Sequence, residues 1–141
     1  MNLQSKQREG MILNEPLWLD SLARAHATGV PVAAGGDIGN RYPHGSNARE
    51  LMYLVRPSFF PMEALRAGTA IAAKAMKLEH EVGTIEPGKR ADLVLFDGDP
   101  LSDIESLRDL ERILLVLQGG RAVSGKWLDG QQCTDRTRIG G

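Results

Sequence analysis

Asp37 is the residue that most invites a chemical reading, because it closes the stretch "VPVAAGGD". A lone carboxylate after a short apolar run and two glycines either takes part in a site or simply turns the chain. Its possible partners are few. The chain has three histidines, His26, His44 and His80, with no His-x-His pair, and one cysteine, Cys133. Cys133 has no second thiol with which to form a disulfide or a Cys-Cys zinc motif, and no histidine follows it. His44 stands beside Pro43, where a histidine fixing a turn is the plain reading. His26, on the first helix, is expected to face solvent or pack at the helix end, and His80 to be structural. Asp92 and Asp97 flank an apolar strand, and that placement favours turn and strand-end roles over a metal site.

The elements that must position these residues follow from local patterns. Residues 1–13 are expected to be a disordered start. Asn14 then reads as an N-cap, Pro16 sits in a first turn, and Leu17, Leu22 and Ala25 give a helical stripe over about 15–28, stopped by Gly29. The continuous run "VPVAAGG" predicts a strand buried on both faces, as in a parallel sheet. Asn47 with Glu50 resembles a capping box opening a helix over about 48–55. "PMEALRAGTAIAAKAM" predicts one further helix from Pro61, with alanines that permit close packing.

The character changes near residue 80. "VGTIEPGKRADLVLFDGDP" reads as strand, turn, strand, turn, with Pro87-Gly88 central in a type II turn. "ILLVLQGGRAV" reads as a β-hairpin with Gly119-Gly120 at its tip. The expected fold class is therefore α/β followed by mostly β.

Composition narrows the partners. The 141 residues are 42% hydrophobic and 25% charged, with a formal net charge of −1. That balance suits a globular chain and gives no reason to expect nucleic acid or a membrane as partner. The polar start, without the apolar stretch of a signal peptide, and the lone thiol lead to an expected cytoplasmic location.

"GTIEPGKRADLVLFDGDPLSDI" and "VLQGGRAVSG" resemble the C-terminal signature of the amidohydrolase superfamily. The upstream order matches as well: an apolar run ending in Gly-Gly-Asp, then "PHGSNAREL", then "PMEALRAGTAIAAKAM". Together they resemble the branch of imidazolonepropionases and metal-dependent prolidase-like enzymes, over roughly residues 15–125. The resemblance implies a (β/α)8 metal-dependent hydrolase barrel carrying a small β-sandwich-like domain. On that frame, residues 14–80 are the last helix-strand-helix part of the barrel. Residues 81–127 are the C-terminal part of the small domain, and 128–141 are a tail.

The resemblance also implies a divalent metal, zinc foremost, whose bound water attacks an amide, ester or ring carbonyl carbon. Asp37 falls at the position of the family's eighth-strand aspartate. There a carboxylate can bind the metal or accept the proton of the attacking water and pass it to the leaving nitrogen. His44 falls in the loop that borders the substrate pocket. Two departures are visible. Gly36 replaces the more usual threonine or serine before the aspartate, and Phe60 replaces a hydroxyl residue that would cap the following helix.

The family's histidine ligands have no counterpart in this sequence, and a (β/α)8 barrel needs ~250 residues. The expectation is a C-terminal fragment of a metal-dependent amidohydrolase that hydrolyses C–N bonds of small amides, cyclic amides or dipeptides. It is expected to be inactive as this chain alone, with no metal bound by it alone. The alternative is a non-catalytic remnant used for structure or binding. Either reading leaves apolar surface uncovered and predicts self-association, or pairing with a missing N-terminal half.

Overall fold

A computed structural model describes residues 3–36 and 45–128, with side chains described from Glu15 onward. The order of elements is α1 (Leu3–Ala27), α2 (Arg49–Val55), α3 (Pro61–Gly68), α4 (Ala70–Ala75), β1 (Leu93–Phe96), β2 (Ile113–Gln118) and β3 (Arg121–Ser124). Helices come first and a small antiparallel sheet follows, ordered β1-β2-β3.

The first helix is longer than its expected range. It begins at Leu3, runs through Asn14 and carries Pro16 inside it. Gln4, Lys6, Gln7, Arg8 and Glu9 are good helix formers, so the helix extends through residues expected to be a disordered start, and Asn14 is no cap. At the other end the chain turns at Gly29, whose positive φ of 72° a side chain would resist.

The packed centre lies between α2 and α3. Leu54, Phe59, Ala64 and Ala67 form a buried cluster, with Leu22, Val32, Ala34, Leu51 and Val55 at its margin. Ala64 and Ala67 have no exposed surface at all. Their small side chains bring α3 close to its neighbours, as the alanine-rich pattern predicts. The approach is tight at Gly68, where a Cβ would meet Leu51 Cδ2 at 2.9 Å.

"PMEALRAGTAIAAKAM" is two helices, not one. The break is Thr69, with φ −125° and ψ −91°. Its hydroxyl donates to the Leu65 carbonyl at 2.8 Å, and its own N–H bonds the nearer Arg66 carbonyl. A threonine side chain thus takes the acceptor a continuing helix would use. The expected Asn47–Glu50 box is also absent. Ser46–Ala48 is a turn of 3-10 helix, which places Asn47 inside a helical turn rather than at its cap.

Val30–Gly36 differs most from expectation, since it is not a strand. No other strand lies beside it among the described residues. Its regular anchor is one hydrogen bond, from the Ala34 N–H to the Ala67 carbonyl at 2.9 Å. Val32 and Ala34 lean on the core while Pro31, Ala33 and Gly35 are exposed, an alternation that buries one face instead of two.

The turns of the second region match their residues. Lys89 N–H bonds the Glu86 carbonyl across Pro87-Gly88, and Gly88 has φ 89°. That is a type II turn. No strand precedes it, contrary to expectation: residues 79–84 are turns and bends. Gly119 and Gly120, both with positive φ, join β2 to β3 as a two-residue hairpin loop. The register sets Leu93 against Leu117 and Leu95 against Leu115, while Val94 faces Val116. Alternation therefore makes both faces of the sheet apolar.

Candidate functional site

Asp37 and His44, the two site residues expected from sequence, lie outside the described residues, as do Pro43 and Cys133. The structure does show what stands on either side of them. Upstream, α1 ends at Ala27, the Val30 N–H bonds the Ala25 carbonyl, and Val30–Gly36 runs across α3 to Gly36. Downstream, Gly45 has φ 90°, and a side chain there would bring its Cβ 3.4 Å from Leu110 Cδ1. The turn Ser46–Ala48 and α2 follow. Gly36 and Gly45, which flank the undescribed residues, are both exposed.

Glu50, in the first turn of α2, was read from sequence only as a cap. It makes no cap. Burial pushes its carboxyl above the usual range, and the charge of Arg49 offsets this in part. No sequence signal marks it, because its desolvation depends on where α2 packs.

Of the two described histidines, His26, expected to carry no chemistry, is the better connected. His26 Nε2 lies 3.1 Å from Glu63 Oε2, and Nδ1 lies 3.3 Å from Ser58 Oγ. Its ring sits 4.2 Å from the ring of Phe59. Glu63 Oε2 also accepts the Phe60 N–H at 2.9 Å. Phe60 therefore opens α3 with only half of a capping box, since its phenyl ring has no atom to accept the return bond. The backbone bond to Phe60 first, and the bond to His26 second, hold the Glu63 carboxyl below its usual range. The two phenylalanines divide: Phe59 is buried and Phe60 is exposed.

Asp92 serves the sheet. Its Oδ2 accepts from Arg90 at 2.6 Å and its Oδ1 from the Gly119 N–H at 2.7 Å, and both bonds lower its carboxyl. Asp97 donates its N–H to the Arg112 carbonyl at 2.8 Å. These are the turn and strand-end roles expected of the pair. An open cleft of about 460 Å³ lies beside the hairpin, lined by Arg90, Asp92, Gln118, Gly119, Arg121 and Val123. Its carboxylate is already engaged with Arg90 and the hairpin turn, so the cleft is a structural feature of the sheet end. Among the described residues no three His, Cys, Asp or Glu side chains converge to hold a metal ion. Among them, too, no helix is long and apolar enough to cross a membrane.

A helical region followed by a small antiparallel sheet is the setting for the comparisons with known proteins. The sequence model of the amidohydrolase family matches residues 19–123. The chain belongs to the amidohydrolase family. It is 34% identical over 116 residues to an imidazolonepropionase of Shouchella clausii, covering 75% of this chain and 25% of that protein. An ochratoxinase of Aspergillus niger is 29% identical over 127 residues, covering 83% and 26%. Among solved structures, a Xaa-Pro dipeptidase with methionine bound in its active site superposes with a TM-score of 0.70 at 33% identity. That match covers 78% of this chain and 26% of that one. The chain thus spans about a quarter of the length of these relatives.

Proposed function

We propose that this chain is the C-terminal portion of a metal-dependent amidohydrolase that cleaves a C–N bond in a small amide, cyclic amide or dipeptide. The observation that carries the reading is the family match across residues 19–123, which takes in Asp37 and the hairpin together. In that reading Val30–Gly36 is the last strand of a barrel without its neighbours, and the three-stranded sheet is part of a small sandwich-like domain. Relatives named for an imidazolone propionate, for ochratoxin and for Xaa-Pro dipeptides support a small-molecule substrate.

Asp37 is the chain's contribution to the reacting atoms. Its carboxylate takes a proton from the attacking water as the O–C bond forms, and returns it to the nitrogen as the C–N bond breaks. His44 borders the substrate. The described residues do not by themselves fit a metal. The remaining ligands, with zinc the favoured ion, come from sequence outside this chain.

The test is co-production of this chain with the N-terminal three quarters of an imidazolonepropionase-like relative, assayed against amides, cyclic amides and dipeptides. Turnover by the pair, none by this chain alone, and loss in Asp37→Asn is the expected result. Turnover by this chain alone, or undiminished turnover in Asp37→Asn, would contradict it.

A second reading is favoured by one observation: no residue of β1, β2 or β3 is buried. On that reading the chain is a non-catalytic remnant whose sheet is covered by further copies. A clean monomer in size-exclusion chromatography at micromolar concentration would count against it.

A further inference from the structure

The cleft at the hairpin end of the sheet is committed to structure on its acidic side only. Asp92 Oδ2 accepts from Arg90 Nη2 at 2.6 Å and Nε at 3.2 Å, while Oδ1 accepts the Gly119 N–H. Both oxygens are in use, and they fix the turn and one guanidinium in place. The basic side is different. The exposed side chains of Gln118 and Arg121 make no hydrogen bond or ion pair to another described residue. Arg90 Nη1 lies 3.8 Å from Glu81 Oε2, beyond hydrogen-bond reach of it.

Register explains why these groups meet. Leu93 lies opposite Leu117, which sets Asp92 opposite Gln118, and Gln118 lies opposite Arg121. The ladder continues past the start of β1, since the Gly120 N–H bonds the Ala91 carbonyl. Asp92, Gln118 and Arg121 thus form one row across the sheet, with their side chains on one face. The next row on that face is apolar: Val94 lies opposite Val116, and Val123 stands two residues beyond Arg121. Val94 and Val123 are exposed. The cleft therefore offers donors without a described partner at one end and apolar surface beside them, in about 460 Å³. That is within the size range of small-molecule sites.

The chemistry of what fits follows from these groups. A guanidinium presents two parallel N–H groups to a planar carboxylate, and hydrogen bonds between charged partners are the stronger kind. Two guanidiniums share the cleft with Asp92, and Glu81 stands beside Arg90. That balance suits a ligand with one negative charge, because a phosphate dianion would stand against both carboxylates. The valines suit an apolar body.

We propose that this cleft binds a small organic monocarboxylate, its carboxylate on the Arg121 fork and its apolar body against Val123 and the valine row. The Gln118 amide supplies a further donor. The site does not depend on the hydrolase reading.

Phenylacetate is the probe, titrated into the isotope-labelled full chain by NMR at ~150 mM salt, where long-range attraction between exposed charges is screened. Saturable shifts of Gly119, Gly120, Arg121 and the Gln118 side-chain amide are expected, with a dissociation constant of about 1 mM, as suits an open cleft. Phenylacetamide has the shape without the charge, and inorganic phosphate the charge without the apolar body. Each is expected to bind at least ~5-fold more weakly. Arg121→Gln should weaken phenylacetate binding ~5–10-fold, and Arg121→Lys ~3-fold or more, because an ammonium keeps the charge but not the fork. Arg121 holds no other described side chain, so both variants should keep the parent spectrum away from the hairpin. If one does not fold, the other decides. No saturable shift with phenylacetate, equal binding of phenylacetamide or phosphate, or undiminished binding by either folded variant would overturn the proposal.

Discussion

The helical region and the sheet are both rich in large apolar side chains, yet they use them differently. Around α2 and α3, Met52, Leu54, Phe59, Ala64 and Ala67 are buried. In β1, β2 and β3, built from "LVLF", "ILLVLQ" and "RAVS", nothing is, and Val94 keeps 62% of its surface exposed. A helix pair closes a small core from local sequence. A sheet apolar on both faces needs a layer on each face, and the described residues supply neither. The helical part of this chain is therefore the self-sufficient one. It agrees with a chain that spans a quarter of its relatives.

Phe59→Ala should have the largest effect. Removing a buried phenyl costs about 3–5 kcal/mol, so chemical denaturation should show α1–α4 unfolding while the sheet's own signal changes little. Equal loss in both regions would mean that they form one cooperative unit.

Gly83→Ala comes next. Its Cβ would stand 2.6 Å from Ala73 Cβ and 3.1 Å from the Thr69 carbonyl, on a backbone at φ 95°. Overpacking of this kind costs about 1–3 kcal/mol, and the positive φ adds to it. A thermal melt unchanged from the parent would show that the packing of α4 against this turn is looser than described.

An acid titration sharpens the picture of α3. The folded-state carboxyl of Glu63 is depressed, so its stabilisation is complete above the ordinary carboxylate range, near pH 4.3. It is lost as pH falls through the lower folded value. Subtracting the acid melt of Glu63→Gln from that of the parent isolates this contribution, because Asp92 and Asp99 shift in the same direction in both. Superimposable curves would remove the carboxylate from the account.

Smallest of all is Val94→Lys. An exposed substitution away from a cap or core changes stability by within ~0.5 kcal/mol. Its informative readout is association: a lysine on the sheet face should lower self-association, if copies of the chain cover that face, without altering the melt.

What was legible in the sequence divides along the same line. Pro87-Gly88 and Gly119-Gly120 were readable because turn geometry is set by φ preferences within four residues. The antiparallel pairing of β2 and β3 follows from that turn. Val30–Gly36 was misread because a strand exists only through its neighbours, and apolarity alone does not provide them. The break at Thr69 was missed because a hydroxyl competing for the Leu65 carbonyl leaves no mark on hydrophobic periodicity. The division between buried Phe59 and exposed Phe60 and the contacts of His26 are long-range facts, set by the angle at which α1 meets α3. For the candidate site, sequence named Asp37 and His44 and the family that gives them meaning. The structure describes only what flanks them, with Val32 and Ala34 on the core and Gly36 and Gly45 exposed.

On the proposed reading Asp37 is a metal ligand whose partners lie outside this chain. Zinc content of the purified protein by atomic emission tests it most directly. The chain is measured alone and with the co-produced N-terminal three quarters of a relative, each beside Asp37→Asn. Stoichiometric zinc is expected only in the pair, and is expected to be lost in the Asp37→Asn pair. Stoichiometric zinc on a monomer of this chain, retained in Asp37→Asn, would contradict it.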